Sequence, residues 1–581
     1  MKSTFVCLML TALASDGVCD PGKVLSHTKL SSLSGGITPL PDFSLYGVSV
    51  ANIGDVDLDG VDDIAVGAYV EADGGPERGA LYIHFMKADG TARATQKISS
   101  TQGNFTAVLE DGDGFGNSIA PLGDFDGDGV PDIAVGAWLD DDGGCCPGAD
   151  RGSFYILRLN RNGTVKAWNH VSSTSGNLPA ILIDDSDRFG QSLCNLGDLD
   201  GDGVVDLAVG ALYDSDTKAS PNGGVNTGAV YVIYLTPQGT VKTWSKISNY
   251  YGGFQHTLKN QDRFGFSVCS LGDLDEDGVT DIAVGAIIDQ DGGWSRGAAY
   301  VLFLKPNGTV KNEIKISSFE GGATQPDVLL NELQNWDFLG HAVTSLGDID
   351  GDGILELAVS ATGEDDGGGD TMFSDKGGIW IFSLTKAGTI ARIRKITQTE
   401  GNFTGVLDDG CRFGHSMANL GDFNHDGVLD LAVGAIGDDD GGPLRGAMWI
   451  MQVSDKPWTW LGESLPGAAG APKWFGEGPL VAGSPTTFSL SGAAPQAFTM
   501  LLFSVAMAPT PVLGGTLVPA MIGVPAVAFP VSTSATGTFT WSLPWPAGLP
   551  SGATLYSQVW ISDPTGPQGA TASNAISFQL P

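Results

Sequence analysis

The most informative segment of this chain reads Gly54-Asp55-Val56-Asp57-Leu58-Asp59-Gly60-Val61-Asp62-Asp63-Ile64-Ala65-Val66-Gly67-Ala68. It returns five more times with little change. The acidic parts of the six copies begin at Asp55, Asp124, Asp198, Asp273, Asp348 and Asp422. The steps between these starts are 69, 74, 75, 75 and 74 residues. A period this steady over most of a 581-residue chain predicts a repeat architecture.

Each copy has the form D-x-D-x-D-G-x-x-D, with small departures in the last two. Side-chain oxygens stand at positions 1, 3, 5 and 9, and position 7 offers a backbone carbonyl whatever its side chain is. Calcium takes about six to eight oxygen ligands, and a short loop can surround it only through a sharp turn, which the glycine at position 6 permits. The EF-hand loop starts in the same way but ends with a glutamate at position 12, which these copies lack.

Because crowded carboxylates need a cation, we predict a calcium loop between two β-strands in every repeat, with about six Ca²⁺ ions in all, and not a bare acidic turn. The departures are Glu356 at position 9 of the fifth loop and Asn424 at position 3 of the sixth, so we expect these two sites to be weaker. The predicted ligands, in chain order, are Asp55, Asp57, Asp59, Val61, Asp63, Asp124, Asp126, Asp128, Val130, Asp132, Asp198, Asp200, Asp202, Val204, Asp206, Asp273, Asp275, Asp277, Val279, Asp281, Asp348, Asp350, Asp352, Ile354, Glu356, Asp422, Asn424, Asp426, Val428 and Asp430.

Charge and the N-terminus indicate the compartment. The net charge of −37 argues against a nucleic-acid partner. Lys2, the apolar run from Phe5 to Leu13 and an A-x-A site ending at Ala14 predict a secretory signal peptide at residues 1–14. No run of 18 apolar residues follows, so we expect no membrane span. The chain is therefore predicted to be secreted or at the cell surface.

Each repeat divides into four strand-like segments. The opening segment Thr28–Ser32 matches Gln96–Ser100, which is a fourth strand, and the last repeat stops after its third strand, Ala447–Val453. The strand count then gives an all-β fold, a β-propeller over residues 24–457 with six blades of four strands. The N-terminal strand completes the last blade and removes the exposed sheet edges. A seven-bladed ring is the less favoured alternative.

Two further pairs recur in each repeat. Phe-Gly precedes the loop, as in Phe189-Gly190, and Gly-Ala follows it, as in Gly210-Ala211. Together with the acidic loop, these pairs resemble FG-GAP repeats, which build the N-terminal β-propeller of integrin α subunits. The resemblance covers roughly residues 24–455 and implies a role in adhesion. The departures from the pattern are Tyr46-Gly47, Leu339-Gly340 and Ser360-Ala361.

Antiparallel strands place the loops between strands 2 and 3, and between blades, on the face opposite the calcium loops. A second acidic set lies there, and most of its members precede Gly-Gly and a basic residue such as Arg78, Arg151 or Arg445. Two interpretations stay open: each loop is stapled by an acid–arginine pair, or the face binds further cations. The resemblance places a ligand on this face, where sugars or peptides would stack on Tyr69, Trp138, Tyr213 and Trp294.

The composition changes from Trp458 on. Residues 458–472, with Pro466 to Pro472 at their end, are predicted to be a linker, and residues 473–581 a small β-sandwich-like domain of short strands.

The leading functional hypothesis is a monomeric extracellular binding or adhesion protein for a protein or glycan partner. The alternatives are a polysaccharide-degrading enzyme on the propeller scaffold and a purely structural surface protein. No catalytic site is predicted, because His341 and His415, at the same position in two repeats, are better explained as structural.

Overall fold

The computed structural model describes residues 23–144, 148–216, 225–319, 332–349, 354–365, 375–424, 428–454, 458–462, 464–467, 471–477, 485–522, 525–544 and 554–579. The predicted signal peptide at 1–14 lies outside these ranges. The chain has two compact units, the first comprising Gly22–Gly347 and Ile354–Ser454, and the second holding the described residues from Trp458 on.

The first unit consists of four-stranded antiparallel sheets, and six of them are found in the described ranges. Five are continuous in sequence: β2 (Val50–Gly54), β3 (Asp63–Ala68), β4 (Ala80–Met86), β5 (Ala92–Ser99); β6 (Phe115–Gly123), β7 (Asp132–Ala137), β8 (Ser153–Leu159), β9 (Val165–Val171); β10 (Phe189–Gly197), β11 (Asp206–Ala211), β12 (Ala229–Leu235), β13 (Val241–Ile247); β14 (Phe264–Gly272), β15 (Asp281–Ala286), β16 (Ala298–Leu304), β17 (Val310–Ile316); and β18 (Leu339–Gly347), β19 (Glu356–Ala361), β20 (Gly378–Leu384), β21 (Ile390–Ile396).

The sixth sheet joins the two ends of this unit. It contains β22 (Phe413–Gly421), β23 (Leu429–Ala435), β24 (Ala447–Ser454) and β1 (Lys23–Leu30), which pairs antiparallel with β24 from Lys23↔Ser454 to Leu30↔Met448. The first strand of each sheet contacts the first strand of the next, and β22 contacts β2, so the sheets form a ring. The all-β propeller prediction is confirmed, and the N-terminal strand completes the last blade as predicted.

Recurring glycines allow neighbouring blades to approach closely. A Cβ atom on Gly285 in β15 would overlap the carbonyl oxygen of Gly340 in the next blade. Ser267 Oγ donates a hydrogen bond to the same oxygen at 2.8 Å. Blade five exchanges the two residue types, because Ala342 replaces the serine and Ser360 replaces the glycine, and Ser360 Oγ accepts from Ala342 N at 2.8 Å. The Gly-Ala pair of the sequence therefore marks a backbone contact between blades.

Apolar residues fill the space between adjacent sheets. One cluster joins Leu81 and Ile83 of the first blade to Phe115, Tyr155 and Leu157 of the second. After the acid at their first residue, the strands β7, β11 and β15 are apolar, and they are buried at every residue. This is the expected pattern for strands that are covered on both faces.

The second unit is also all-β. One sheet has the order β25 (Trp458–Gly462), β35 (Ala575–Gln579), β33 (Thr554–Ser562), β28 (Phe498–Ser504), β31 (Ala526–Ser532), with β34 (Ala570–Ala572) on β33. The others are β26 (Lys473–Glu477), β27 (Pro485–Ser491), β32 (Phe539–Pro544), and the hairpin β29 (Met507–Val512), β30 (Gly515–Pro519). A single-turn 3-10 helix spans Pro567–Gly569. Trp474, Phe488, Leu501 and Phe578 share one core between the two larger sheets, as in a sandwich.

The structure differs from the sequence prediction at the start of the linker. Residues Trp458–Gly462 form strand β25, which pairs antiparallel with β35 at the C-terminal end of the chain. The first five residues of the predicted linker therefore belong to the second unit, because their backbone groups extend its sheet. In the part of the chain that the structure describes, no helix has the length and apolar character needed to cross a bilayer.

Candidate metal loops and ligand face

The acidic loops bring three of their four carboxylates together. In the first four repeats, carboxylate oxygens from positions 1, 3 and 9 lie within 4.8 Å of one another. Position 1 follows the innermost strand, and position 9 begins the second strand. Because these two strands are hydrogen-bonded to each other, their pairing fixes the distance between the two positions. The groups are Asp55, Asp57 and Asp63; Asp124, Asp126 and Asp132; Asp198, Asp200 and Asp206; and Asp273, Asp275 and Asp281.

Backbone N–H groups hold each loop in this shape. In the third repeat, Asp198 accepts hydrogen bonds from the N–H groups of Asp202 at 2.8 Å and Gly203 at 2.7 Å. Asp206 accepts from Leu199 N at 3.0 Å and from Leu235 N at 3.2 Å. The same contacts recur in the other three loops. The carboxylates are therefore held in place by the loop itself, which is the preorganisation that a bound cation needs.

The position-9 carboxylates are strongly perturbed. Burial raises the pKa of Asp63 to about 7, and the charges of Asp57 and Asp55 add a smaller contribution. Burial likewise raises the pKa values of Asp132, Asp206 and Asp281 to about 6, with the position-3 carboxylate adding to the shift. Burial therefore disfavours the charged form of each position-9 carboxylate, and a divalent cation would offset that cost.

A basic side chain on the outer strand contacts each of these loops. Lys242 Nζ lies 2.6 Å from Asp200 and 2.5 Å from Asp202, which are positions 3 and 5. Lys166 and Lys311 make the same pair of contacts in their blades, and Arg93 does so in the first. Sequence reasoning missed this set, although the residues share the second position of their strands. At the matching position, blades five and six have Ala391 and Leu25.

The position-5 carboxylates make other contacts in the four fully described loops. The carboxylates of Asp59, Asp128, Asp202 and Asp277 turn toward the basic residue and accept from the N–H groups of Val61, Val130, Val204 and Val279. Whether these valine carbonyls bind a cation stays a prediction.

The fifth and sixth loops are described only in part. Asp350, Asp352 and Asp426 lie outside the described residues. Glu356 and Asp430 are buried in the strands that follow, as the other position-9 residues are. Asp348, Ile354, Asp422, Asn424 and Val428 flank the gaps.

The second acidic set is paired with lysines on the opposite face. Lys246 Nζ lies 2.8 Å from Asp214 and 2.6 Å from Asp216, and 5.5 Å from the centre of the Tyr231 ring. Lys29, Lys97 and Lys315 repeat this arrangement in three other blades, and Lys395 contacts one acid, Glu364, in a fourth. The acid–arginine staple is wrong for these acids, because the arginines bind a different carboxylate. Arg78, Arg151 and Arg445 contact Asp111, Asp185 and Asp42, each at 2.7 Å.

Cations and aromatic rings meet near the axis of this face. The Arg188 guanidinium lies 4.6 Å from the centres of both the Trp138 and Tyr213 rings, and Arg263 lies 5.1 Å from Tyr213. Tyr69 packs edge-on against Trp138 at 5.8 Å. Because both arginines directly precede innermost strands, they stand at the mouth of the ring. We call Tyr69, Trp138, Arg188, Tyr213 and Arg263 the arginine–aromatic cluster.

The other predicted aromatic residue, Trp294, is 64% exposed. It belongs to the same face, but no contact with the cluster is observed among the described residues.

The two channel histidines have structural roles. His341 and His415 line a central cavity of about 110 Å³, with ring centroids 4.4 Å apart. Their Nδ1 atoms lie 3.1 Å and 3.3 Å from the carbonyl oxygens of His415 and Val48. Burial lowers the pKa of His341 to about 4 and that of His415 well below its usual value. Both rings are therefore neutral at pH 7 and bond backbone of the next blade.

Asp262 provides a pH-dependent contribution to stability. Burial and the charge of Asp289 raise its pKa to about 7, and its Oδ1 atom has no hydrogen-bond partner. A raised pKa in the folded state means that this group stabilises the fold at low pH, below about 4, and that the contribution is lost as pH rises to about 7. We expect Asp262→Asn to raise the unfolding midpoint at pH 8, with a difference from wild type that shrinks toward pH 4.

Thermal unfolding of both proteins between pH 4 and 8 checks this expectation. The exposed Asp111→Asn variant is the control, and its difference from wild type should not follow the same curve. A midpoint difference for Asp262→Asn that is independent of pH would contradict the assignment.

Comparison with known proteins agrees with this architecture. The FG-GAP repeat family matches residues 115–157, 189–233 and 340–382, in the second, third and fifth blades. Integrin alpha pat-2 of Caenorhabditis briggsae is 31% identical over 312 residues, 52% of this chain and 21% of that protein. Integrin alpha-PS2 of Drosophila melanogaster is 29% identical over 280 residues, 48% of this chain and 17% of that protein. Integrin alpha-5 of Xenopus laevis is 30% identical over 252 residues, which are 43% of this chain and 20% of that protein.

This chain spans about a fifth of the length of these relatives. The family match falls on three individual blades, and the relatives match about half of the chain. The chain therefore carries FG-GAP repeats in a β-propeller and resembles integrin alpha subunits over about half of its length.

Proposed function

We propose that the acidic loops bind calcium, about six ions per chain, and that the ions stabilise the propeller. The support comes from the first four loops, where three preorganised carboxylates converge and burial raises the pKa of the position-9 carboxylate, a cost that a bound cation would offset. All donors are oxygens, which is the ligand set that calcium prefers. The basic residue of the outer strand neutralises positions 3 and 5 in part, so it tunes these sites and does not replace the ion.

We further propose that the protein acts outside the cell as a binding or adhesion protein. Similarity to integrin alpha subunits supports an adhesive role, and extracellular calcium would keep the loops filled. The predicted signal peptide agrees with export to the cell surface or beyond. The channel histidines, which would be the acid–base candidates of an enzyme, are neutral and bonded to backbone, so they give the enzyme alternative no support.

The arginine–aromatic cluster is the observation that indicates a ligand. It places two guanidinium groups and three aromatic rings at the ring mouth of a chain whose net charge is −37. Asp150 contacts a terminal nitrogen of Arg188 at 3.3 Å. Cations stacked on aromatic rings bind carboxylates or sulfates through charge-assisted hydrogen bonds and sugar faces through the rings. The partner that this arrangement fits is an acidic glycan or an acidic peptide segment.

A binding screen against acidic and neutral glycans, and against acidic peptides, tests this proposal. We expect wild type to retain acidic ligands in calcium and the Arg188→Ala/Arg263→Ala variant to bind them about tenfold more weakly, as loss of charge-assisted hydrogen bonds predicts. Arg93→Ala, on the opposite face, is the matched control and should bind as wild type does. Equal binding by all three proteins, or selective retention of neutral glycans, would overturn the assignment.

A further inference from the structure

Blade two departs from the other five described blades at one position of the lysine-bearing face. His170 in β9 pairs with Tyr155 in β8, in the register in which Lys246 pairs with Tyr231 in blade three. The corresponding pairs in the other blades also place a lysine opposite an aromatic residue: Lys97 and Tyr82, Lys315 and Tyr300, Lys395 and Trp380, Lys29 and Trp449. Histidine therefore stands where five blades have a permanent cation.

The two acids of this loop are retained in blade two. Asp140 Oδ2 lies 3.1 Å from His170 Nε2, and Asp142 Oδ2 lies 3.5 Å from His170 Nδ1. The imidazole stacks on the Tyr155 ring, with centroids 4.3 Å apart and an angle of 8° between the planes. Ligand atoms of all three residues lie within 4.8 Å of one another. The site therefore keeps both carboxylates but exchanges the ammonium for a group that is also a metal ligand.

Hydroxyl groups orient the two carboxylates. Ser153 Oγ donates to Asp140 at 2.7 Å, and Ser172 and Thr174 each donate to Asp142 at 2.8 Å. Outer hydrogen bonds of this kind orient the ligands in protein metal sites. The Asp140 side chain is 7% exposed, whereas that of Asp142 is 42% exposed. One ligand is thus fixed in the interior and another opens to solvent, which gives an ion a route of entry.

We propose that Asp140, Asp142 and His170 bind a divalent transition-metal ion of the Zn²⁺ class, which supplies the positive charge that lysine supplies in the other five blades. An imidazole nitrogen with two carboxylates suits zinc and its neighbours, whereas all-oxygen sites such as the acidic loops suit calcium. The site lies on the face opposite the acidic loops, so the two kinds of metal are separated by ligand chemistry and by position. Because three protein ligands leave coordination positions open, water or an anionic ligand completes the shell.

Calorimetric titration with Zn²⁺, and with Co²⁺ as a spectroscopic probe, tests the proposal on the full chain. The buffer contains saturating Ca²⁺ to fill the acidic loops, and thiols are alkylated because cysteine also binds zinc. We expect the protein to bind one Zn²⁺ ion tightly per chain. The spectrum of bound Co²⁺ should lack sulfur charge-transfer bands. His170→Lys installs the residue of the other blades, so it should keep the unfolding midpoint and lose the tight equivalent.

A variant that gains a site tests the proposal without relying on the loss of zinc binding in His170→Lys. Lys246→His copies blade two into blade three, beside Asp214 and Asp216, and should add a second equivalent. Zinc binding that is unchanged in His170→Lys would overturn the proposal. So would a wild-type protein that binds no Zn²⁺ at pH 7.5, because His170 would then only replace lysine as a hydrogen-bonding group.

Discussion

Chelation of calcium is expected to lower the unfolding midpoint of the propeller by about 10 °C or more. An ion that binds only the folded state adds about 2.7 kcal/mol per site when its free concentration is a hundred times the dissociation constant. Several such sites act on one ring, and for large domains each kcal/mol shifts the midpoint by a few degrees at most. Calorimetry after treatment with a chelator, and again during re-addition of Ca²⁺, measures the effect and the number of ions bound.

Single-loop variants show whether the loops account for that shift. Asp206→Asn removes one converging carboxylate and should reduce the stoichiometry by one ion. Asp216→Asn, an acid of the opposite face in the same blade, should leave the calcium count unchanged. If chelation did not move the midpoint and metal analysis found no calcium, the loops would be bare acidic turns and the calcium proposal would fail.

The second large loss of stability is expected from a substitution that adds one methyl group between two blades. Gly285→Ala places a Cβ atom against the backbone carbonyl of Gly340, which cannot yield without moving the innermost strand of the next blade. Overpacking of this kind costs about 1–3 kcal/mol or more, and here it also separates two sheets of a closed ring. We expect a lower yield of folded protein and a midpoint reduced by several degrees in differential scanning calorimetry.

Blade five supplies the matched control for this prediction. Ala342 and Ser360 occupy its serine and glycine positions, so the exchanged pair is compatible with the ring. The double variant Ser267→Ala/Gly285→Ser copies that pair into blade four. It removes the Ser267 Oγ atom, 2.4 Å from the added Cβ, but keeps the contact with Gly340, so it should recover only part of the lost stability. An unchanged midpoint in Gly285→Ala would show that the contact with Gly340 accommodates a Cβ atom.

The ring could be predicted from the sequence because each repeat is a continuous segment that contains the strands of one blade. Matching Thr28–Ser32 to Gln96–Ser100 was enough to place the N-terminal strand in the last blade. The convergence of positions 1, 3 and 9 was also predictable, since strand ends on both sides fix the loop. The linker boundary was not, because Trp458–Gly462 becomes a strand only through pairing with residues more than a hundred positions later.

Contacts made by long side chains escaped the sequence analysis for a related reason. Lys242 reaches Asp200 and Asp202 across about 40 residues, and Lys246 reaches Asp214 across 32. These residues lie four positions apart, near the two ends of one strand, so they reach loops on opposite faces of the propeller, and no local motif records either contact. The regular spacing of basic residues in the outer strands was the available signal. It needed the strand register to assign partners.

The pairing of β1 with β24 has a consequence for how the protein is made. Strand β1 leaves the ribosome first, but its partner follows more than 400 residues later. At about 5–20 residues per second, the growing chain waits on the order of half a minute before its first strand can find its place. Until then, both ends of the unfinished ring present unpaired backbone that another copy can join. Export before folding would let the last blade assemble where calcium is already abundant.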